Sequence, residues 1–218
     1  CKYHQYTNLQ RGLYLTEHRR CYNNIISYCN DLVYKNTLEP LRGEPNKELP
    51  WPSMKLIHTM SPSKKMGGSR GNPGEAKEIT NWLKLNHQKI INYGRESIGN
   101  PKDKNDDEIL LKTVAIVTPF SKQSTLIKKE LREANFPDLT VGTVHKLQGD
   151  ERTMVLFSSV YGLNEKSASK FYDQSNHMLN VAVSRAKNIF LVFGDPNVFG
   201  ISSSMTPSGI LRKYLVDE

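Results

Sequence analysis

Thr-Val-Gly-Thr-Val-His-Lys-Leu-Gln-Gly-Asp-Glu-Arg (140–152), followed by the apolar run Met154–Val160, is the stretch that decides the fold. After a polar interval come Leu-Asn-Val-Ala-Val-Ser-Arg-Ala-Lys (179–187) and Ile-Phe-Leu-Val-Phe-Gly-Asp-Pro (189–196). Met154–Val160 and Ile189–Phe193 are short, apolar and largely β-branched or aromatic, as suits strands buried on both faces of a parallel sheet. Ligands of open parallel sheets sit at the carboxyl ends of the strands. On geometry alone, that rule nominates Gly142–Glu151 and Gly194–Asp195 as site segments. Between the strands, Leu179, Ala182, Val183 and Ala186 recur at helical spacing and form a stripe that can pack on the sheet. Arg185 projects off that stripe. It reads either as a surface arginine in a salt bridge or as a guanidinium aimed at a ligand.

Working outward, strands near 54–60, 114–118, 139–144, 154–160 and 189–193 alternate with helical segments. That is a βαβ pattern, and it implies a parallel sheet with right-handed crossovers. Ile25, Ile26, Cys29, Leu32 and Val33 give an amphipathic helix over Asn23–Tyr34. Asn72-Pro73-Gly74-Glu75 reads as a helix start, with Asn as cap, Pro first and Glu third, and Ala76, Ile79, Leu83 and Ile90 continue its face. Because the cap accounts for that pattern, Asn72 and Glu75 are left out of the site. Ser121 is expected to cap the helix carrying Leu126, Ile127 and Leu131, which Asn135-Phe136-Pro137 ends. Ser208–Val216 is a short helix candidate. Residues 39–53, with four prolines, read as a wrapping loop, and residues 61–74, 94–112 and 162–176 as flexible polar loops.

With 218 residues the chain suits one domain with a real core. Its net charge of +8 favours a polyanionic partner. It has neither an apolar run near 18 residues nor a basic-then-apolar leader, so it reads as no membrane protein. Beginning Cys1-Lys2-Tyr3, it also reads as a fragment. Three cysteines suggest no disulfide framework. They fit a reducing, cytoplasmic or nuclear compartment. Cys1-x-x-His4 and His18-x-x-Cys21 have zinc-like spacing, but no metal is assigned to them. No Gly-x-x-x-x-Gly-Lys-[Ser/Thr] loop occurs, nor a strand-terminal Asp-Glu pair for magnesium. The acidic residues of 103–108 lack the framing a nuclease needs.

Four blocks, in order, carry a resemblance. Val-Gly-Thr-Val-His-Lys-Leu-Gln-Gly-Asp-Glu (141–151) resembles motif V of superfamily 1 helicases, and residues 179–187 resemble motif VI. Val-Ala-Ile-Val-Thr-Pro-Phe-Ser-Lys-Gln (114–123) looks like motif IV. Leu-Thr-Glu-His-Arg-Arg-Cys (15–21) with Leu-Val-Tyr (32–34) looks like the arginine segment of the Upf-like branch. The resemblance covers the second of two RecA-like domains. It implies a three-layer α/β/α fold with a mainly parallel sheet and no Walker A of its own. It further implies an ATP-dependent helicase in which an N-terminal RecA-like domain binds ATP and Mg²⁺. Arg20 and Arg185 would then be arginine fingers, and Gly149 and Glu151 nucleotide contacts, Glu151 near the sugar. Thr118, Thr143, His145 and Lys146 would face single-stranded DNA or RNA. Glu151 reads alternatively as a salt-bridge partner of Arg152 or a neighbour, and His145 as a packed histidine bonded to a carbonyl. His18-Arg19-Arg20 replaces the commoner Gln-Tyr-Arg, and His177-Met178 stands where relatives often carry two arginines, so strand chemistry and polarity stay open. The other function class is a stand-alone, non-catalytic nucleic-acid-binding module.

Overall fold

Five apolar runs form one parallel sheet in the computed structural model, which describes residues 16–144, 151–165 and 170–217. They are β3 (Met54–His58), β6 (Val114–Thr118), β7 (Thr140–Thr143), β8 (Arg152–Ser158) and β9 (Ala186–Gly194), in the order β3-β9-β8-β6-β7. Every neighbouring pair is parallel. The C-terminal segment covers the outer edge of β3, where Leu56 N donates to Val216 O and Val216 N to Met54 O. This pairing occupies a strand edge that would otherwise offer free backbone groups.

Side chains alternate across a strand, and here both faces are apolar. Val155, Phe157, Phe190 and Val192 meet α1 (Asn23–Cys29), α6 (Asn176–Ser184) and α7 (Pro207–Arg212). Met154, Leu156, Ile189, Leu191 and Phe193 meet α2 (Pro73–Leu85), α3 (His87–Ser97), α4 (Asp106–Thr113) and α5 (Ser121–Glu133). The result is the parallel sheet that the strand pattern predicts, in the three-layer α/β/α arrangement that the family resemblance implies.

Several local expectations are corrected. Residues 61–74 are not loop throughout: β4 (Lys64–Met66) and β5 (Ser69–Gly71) pair as an antiparallel hairpin. The 94–112 segment is not structureless either. It contains α4, opened by a capping box in which Asn105 accepts from Glu108 N and Glu108 returns to Asn105 N, with Ile109 and Leu110 buried. Three consecutive apolar residues, Ile109–Leu111, in a charged window give no periodicity to read. Ser121 does not cap α5, since the cap position falls on Phe120 and has no side-chain bond. Ala186 begins β9 rather than ending the helical stripe. The amphipathic segment starting at Asn23 ends in a π-turn over Asn30–Tyr34. A short parallel pair, β1 (Glu17–His18) with β2 (Glu39–Pro40), pins the loop that follows.

Candidate functional site

Because all five strands run one way, the candidate residues fall on two opposite edges of the sheet. Thr118, Thr143 and Gly194 lie at carboxyl ends, of β6, β7 and β9. Glu151 precedes β8 and Arg185 precedes β9, so both lie at amino ends. The carboxyl-end rule therefore does not gather Gly142–Glu151 into one place. A strand parallel to β6 must begin at the edge where β6 begins, and that puts Glu151 opposite Gly142.

At the amino edge, Arg152 N donates to Arg185 O over 3.1 Å, and Tyr22 N to Lys187 O over 3.1 Å. These bonds draw the segment before α1 against the starts of β8 and β9. Arg20 Nε lies 2.7 Å from Glu151 Oε1, and Lys187 Nζ lies 3.6 Å from Glu151 Oε2. Arg19 instead pairs with Glu17, 3.3 Å away and exposed. Arg152 gives its guanidinium to the Glu151 carbonyl, the Leu111 carbonyl and Thr140 Oγ1. The Glu151 carboxylate is thus held by Arg20 and Lys187. Arg185 ends α6 with Nε donating to Val181 O at 3.3 Å. Among the described residues it has no carboxylate partner. Around Arg20, Glu151 and Lys187 opens a cleft of about 600 Å³, lined also by Glu17, His18 and Arg19.

Two groups, His18 in the cleft wall and the buried Cys21, register this convergence. Burial pushes the Cys21 thiol up to about 11, against the pull of Arg20, Arg42 and Arg185, with Glu151 adding to the rise. Burial and then Arg20 lower the His18 pKa, and Glu151 opposes them. His18 Nε2 accepts from Cys21 N at 3.2 Å, so the zinc-like spacing of His18 and Cys21 serves a turn.

Sequence reasoning missed Arg42. Its guanidinium lies 4.0 Å from the Tyr22 ring centroid and donates to Arg20 O, Lys187 O and Asn188 Oδ1, each at 2.6 Å. It fixes the backbone on both sides of the cleft. Nothing in a proline-rich loop marks such a residue, because its partners are distant in the chain.

At the carboxyl edge, Thr118 is buried and its hydroxyl has no partner among the described residues. Thr143 sits beside it in register, half-buried. His145, Lys146 and Gly149 lie outside the described residues. Asn72 caps α2 as expected, accepting from Glu75 N at 3.0 Å. The Glu75 side chain does not return to the cap, however, and enters the core. It accepts from Ser158 Oγ, from Thr59 Oγ1 at 3.2 Å, and from Val160 N at 3.0 and 3.3 Å. Gln123 Nε2 donates to Ser158 Oγ (3.0 Å) and Gln123 Oε1 accepts from Asn72 N (2.7 Å). Burial raises the Glu75 pKa to about 8, with the bonds from Ser158, Val160 and Thr59 pulling it down. Val160 has φ of 75°, costly for a β-branched residue. The bonds from its N–H to Glu75 and from Asn72 Nδ2 to its carbonyl (3.0 Å) hold it there. The cap was a sufficient explanation of Glu75 and hid a buried acid tying the ends of β3 and β8 together.

Chemically, the amino edge can present cationic groups to an anion that displaces Glu151 from them. Among the described residues, no three His, Cys, Asp or Glu side chains converge as a metal site, and no helix is long and apolar enough to cross a membrane.

Comparison with known proteins agrees with this layout. A family model described as an AAA domain matches residues 3–197. The human RNA helicase Mov10l1 is 23% identical over 194 residues, covering 86% of this chain and 14% of that protein. An uncharacterized ATP-dependent helicase of Caenorhabditis elegans is 31% identical over 150 residues, 69% of this chain and 8% of that protein. A DNA polymerase alpha-associated DNA helicase of Schizosaccharomyces pombe is 34% identical over 86 residues, 39% of this chain and 13% of that protein. The chain thus spans a small part of the length of these relatives. With five parallel strands between two helical layers and a family match running through most of its length, it belongs to the AAA-domain family of Upf-like superfamily 1 helicases.

Proposed function

We propose that this chain is the C-terminal motor domain of an ATP-dependent helicase. In this reading its amino edge completes a nucleotide site held by an N-terminal RecA-like domain, and its carboxyl edge meets single-stranded nucleic acid. The observation that carries the reading is the convergence of Arg20, Glu151 and Lys187 on one open cleft, with Arg185 on the adjoining strand start. A nucleotide with its magnesium supplies the phosphoryl group and the leaving oxygen. Charge grows on those oxygens during transfer, and guanidinium groups placed there stabilise it, an effect of roughly 10³–10⁵ in rate. Arg185 donates through Nε to Val181 O, which orients its guanidinium and leaves the two terminal nitrogens as donors for a phosphate. Arg20 is held by Glu151 until a more highly charged anion competes for it. Glu151, released, is an acceptor for a sugar hydroxyl. Arg42 keeps the Arg20 and Lys187 backbones in place throughout.

Thr143 at the carboxyl edge, and His145 and Lys146, which follow it in the sequence, are residue types suited to contacts with a sugar–phosphate backbone. Thr118, with its hydroxyl covered, supports that edge from below. Closure of two such domains on a nucleotide and their reopening would move a bound strand. The test is nucleic-acid-stimulated ATP hydrolysis by the full-length protein. Arg185→Ala and Arg20→Ala are expected to lower kcat by about 10³-fold or more, while the 218-residue chain alone hydrolyses nothing. Near-normal turnover in both variants would remove the fingers from the reading. A full-length protein that binds nucleic acid and has no ATPase would favour the stand-alone module.

A further inference from the structure

A file of aromatic rings runs from the core to the carboxyl edge of the sheet. Phe157 and Phe199 meet Tyr172, at 6.2 and 5.4 Å between centroids. Tyr172 meets Tyr161 at 5.5 Å, Tyr161 meets Phe120 at 5.7 Å, and Phe120 meets Phe171 at 5.5 Å with only 31° between planes. Phe157, Phe199 and Tyr172 are completely buried, whereas Phe171 is 40% exposed. A phenyl ring left in water by a file this ordered is not spare core. Its backbone is also fixed, since Phe171 N donates to Tyr161 OH at 3.0 Å.

Cations lie on the elements next to this file of rings. The β4–β5 hairpin carries Lys64 and Lys65, both exposed and, among the described residues, without a carboxylate partner. Ser69 ties the hairpin to the start of α5, accepting from Lys122 N at 3.4 Å, so the exposed Lys122 stands beside it. Arg70 and Lys170 lie over the Tyr161 ring at 5.3 and 5.1 Å. Of the acids at this place, Glu165 pairs with Arg70, and Asp173 accepts from the Ser208 N–H and hydroxyl. An exposed ring on a rigid base, with exposed lysines on the neighbouring hairpin and helix start, suits a single strand: bases stack on rings and phosphates follow the charges. A protein partner would use the apolar surface without needing the lysines.

We infer that Phe171, backed by Phe120, is a base-stacking platform for single-stranded nucleic acid, and that Lys64, Lys65 and Lys122 are its phosphate rail. The inference rests on the reading that this edge meets nucleic acid, and it names the chemistry of recognition.

The experiment is a titration of the chain into fluorescein-labelled single-stranded DNA and RNA 12-mers, followed by anisotropy at several salt concentrations. A parallel set of oligonucleotides carries abasic sites in the central positions. Phe171→Ala and Phe171→Leu are each expected to weaken binding to the intact strand by about 5- to 100-fold. The same variants should lose little on the abasic strand, because the stacked partner is already gone. Lys64→Gln/Lys65→Gln should flatten the dependence of log affinity on log salt by about 1.4, at about 0.7 for each phosphate that a lysine no longer neutralises. Equal losses on intact and abasic strands would make Phe171 a structural residue and overturn the platform, as would a wild-type affinity in all variants. No binding of either oligonucleotide by the wild-type chain would instead overturn the assignment of this edge to nucleic acid.

Discussion

At the scale of the residue, Glu75 is where burial and hydrogen bonding compete most openly. Three donors favour its carboxylate, yet complete removal from water favours the acid and wins, leaving a pKa of about 8. The sign follows from linkage. Unfolded, the group releases its proton above the ordinary value of 4.5, while folded it holds the proton to about 8. Its stabilising contribution is therefore complete below 4.5 and is lost as pH rises towards 8. At ~1.4 kcal/mol per pKa unit the loss is on the order of a few kcal/mol. Thermal melts from pH 5 to pH 8 should show the wild-type midpoint falling more steeply than that of Glu75→Gln. Parallel slopes would show that Glu75 does not titrate in this window. The sequence displayed Glu75 at the third position of a capped helix, where a reciprocal bond to the cap suffices as explanation. That its side chain turns the other way depends on Ser158 and Val160, 83 and 85 residues away.

At the scale of the element, α2 and α4 begin with the same signal, Asn followed three residues later by Glu, and put it to different uses. In α4 the box is exposed and closes on itself. In α2 the cap is buried, and Asn72 Nδ2 also donates to Ser61 O and Val160 O. Asn105→Ala should cost about 1 kcal/mol, or roughly 2–4 °C in Tm for a chain of this size. Asn72→Ala additionally strands buried carbonyls, at about 1–3 kcal/mol for each group left unsatisfied, and should cost at least twice as much. Urea melts of the two variants test this, and equal costs would mean that the α2 cap acts as locally as the α4 cap. The cap in α2 was legible because Pro73 and an apolar face followed it. The cap in α4 was overlooked because only Ile109 and Leu110 anchor so short a helix, too few to set up a period.

At the scale of the whole molecule, the ring file separates stability from binding. Phe157 sits in β8, the middle strand of the sheet between β9 and β6, and meets Phe190 at 6.1 Å as well as Tyr172 and Phe199. Phe157→Ala should remove about 3–5 kcal/mol, a large part of the ~5–15 kcal/mol available to a domain. A urea midpoint within error of wild type would deny that this ring is part of the core beneath α1, α6 and α7. Apolar patterning and the alternation of strands with helices were enough to give a parallel sheet buried on both faces, because patterning reports which faces of each segment avoid water and a parallel pair needs a crossover. The motif blocks likewise named the family, since they are contiguous in sequence. Which candidates meet was decided only by tertiary structure. Arg42 joins carbonyls 22 and 145 residues distant, and parallel pairing sends Glu151 and Thr143, eight positions apart in the numbering, to opposite edges. Local patterns record burial one segment at a time, whereas the meeting of side chains depends on strand order and direction, which no single segment contains.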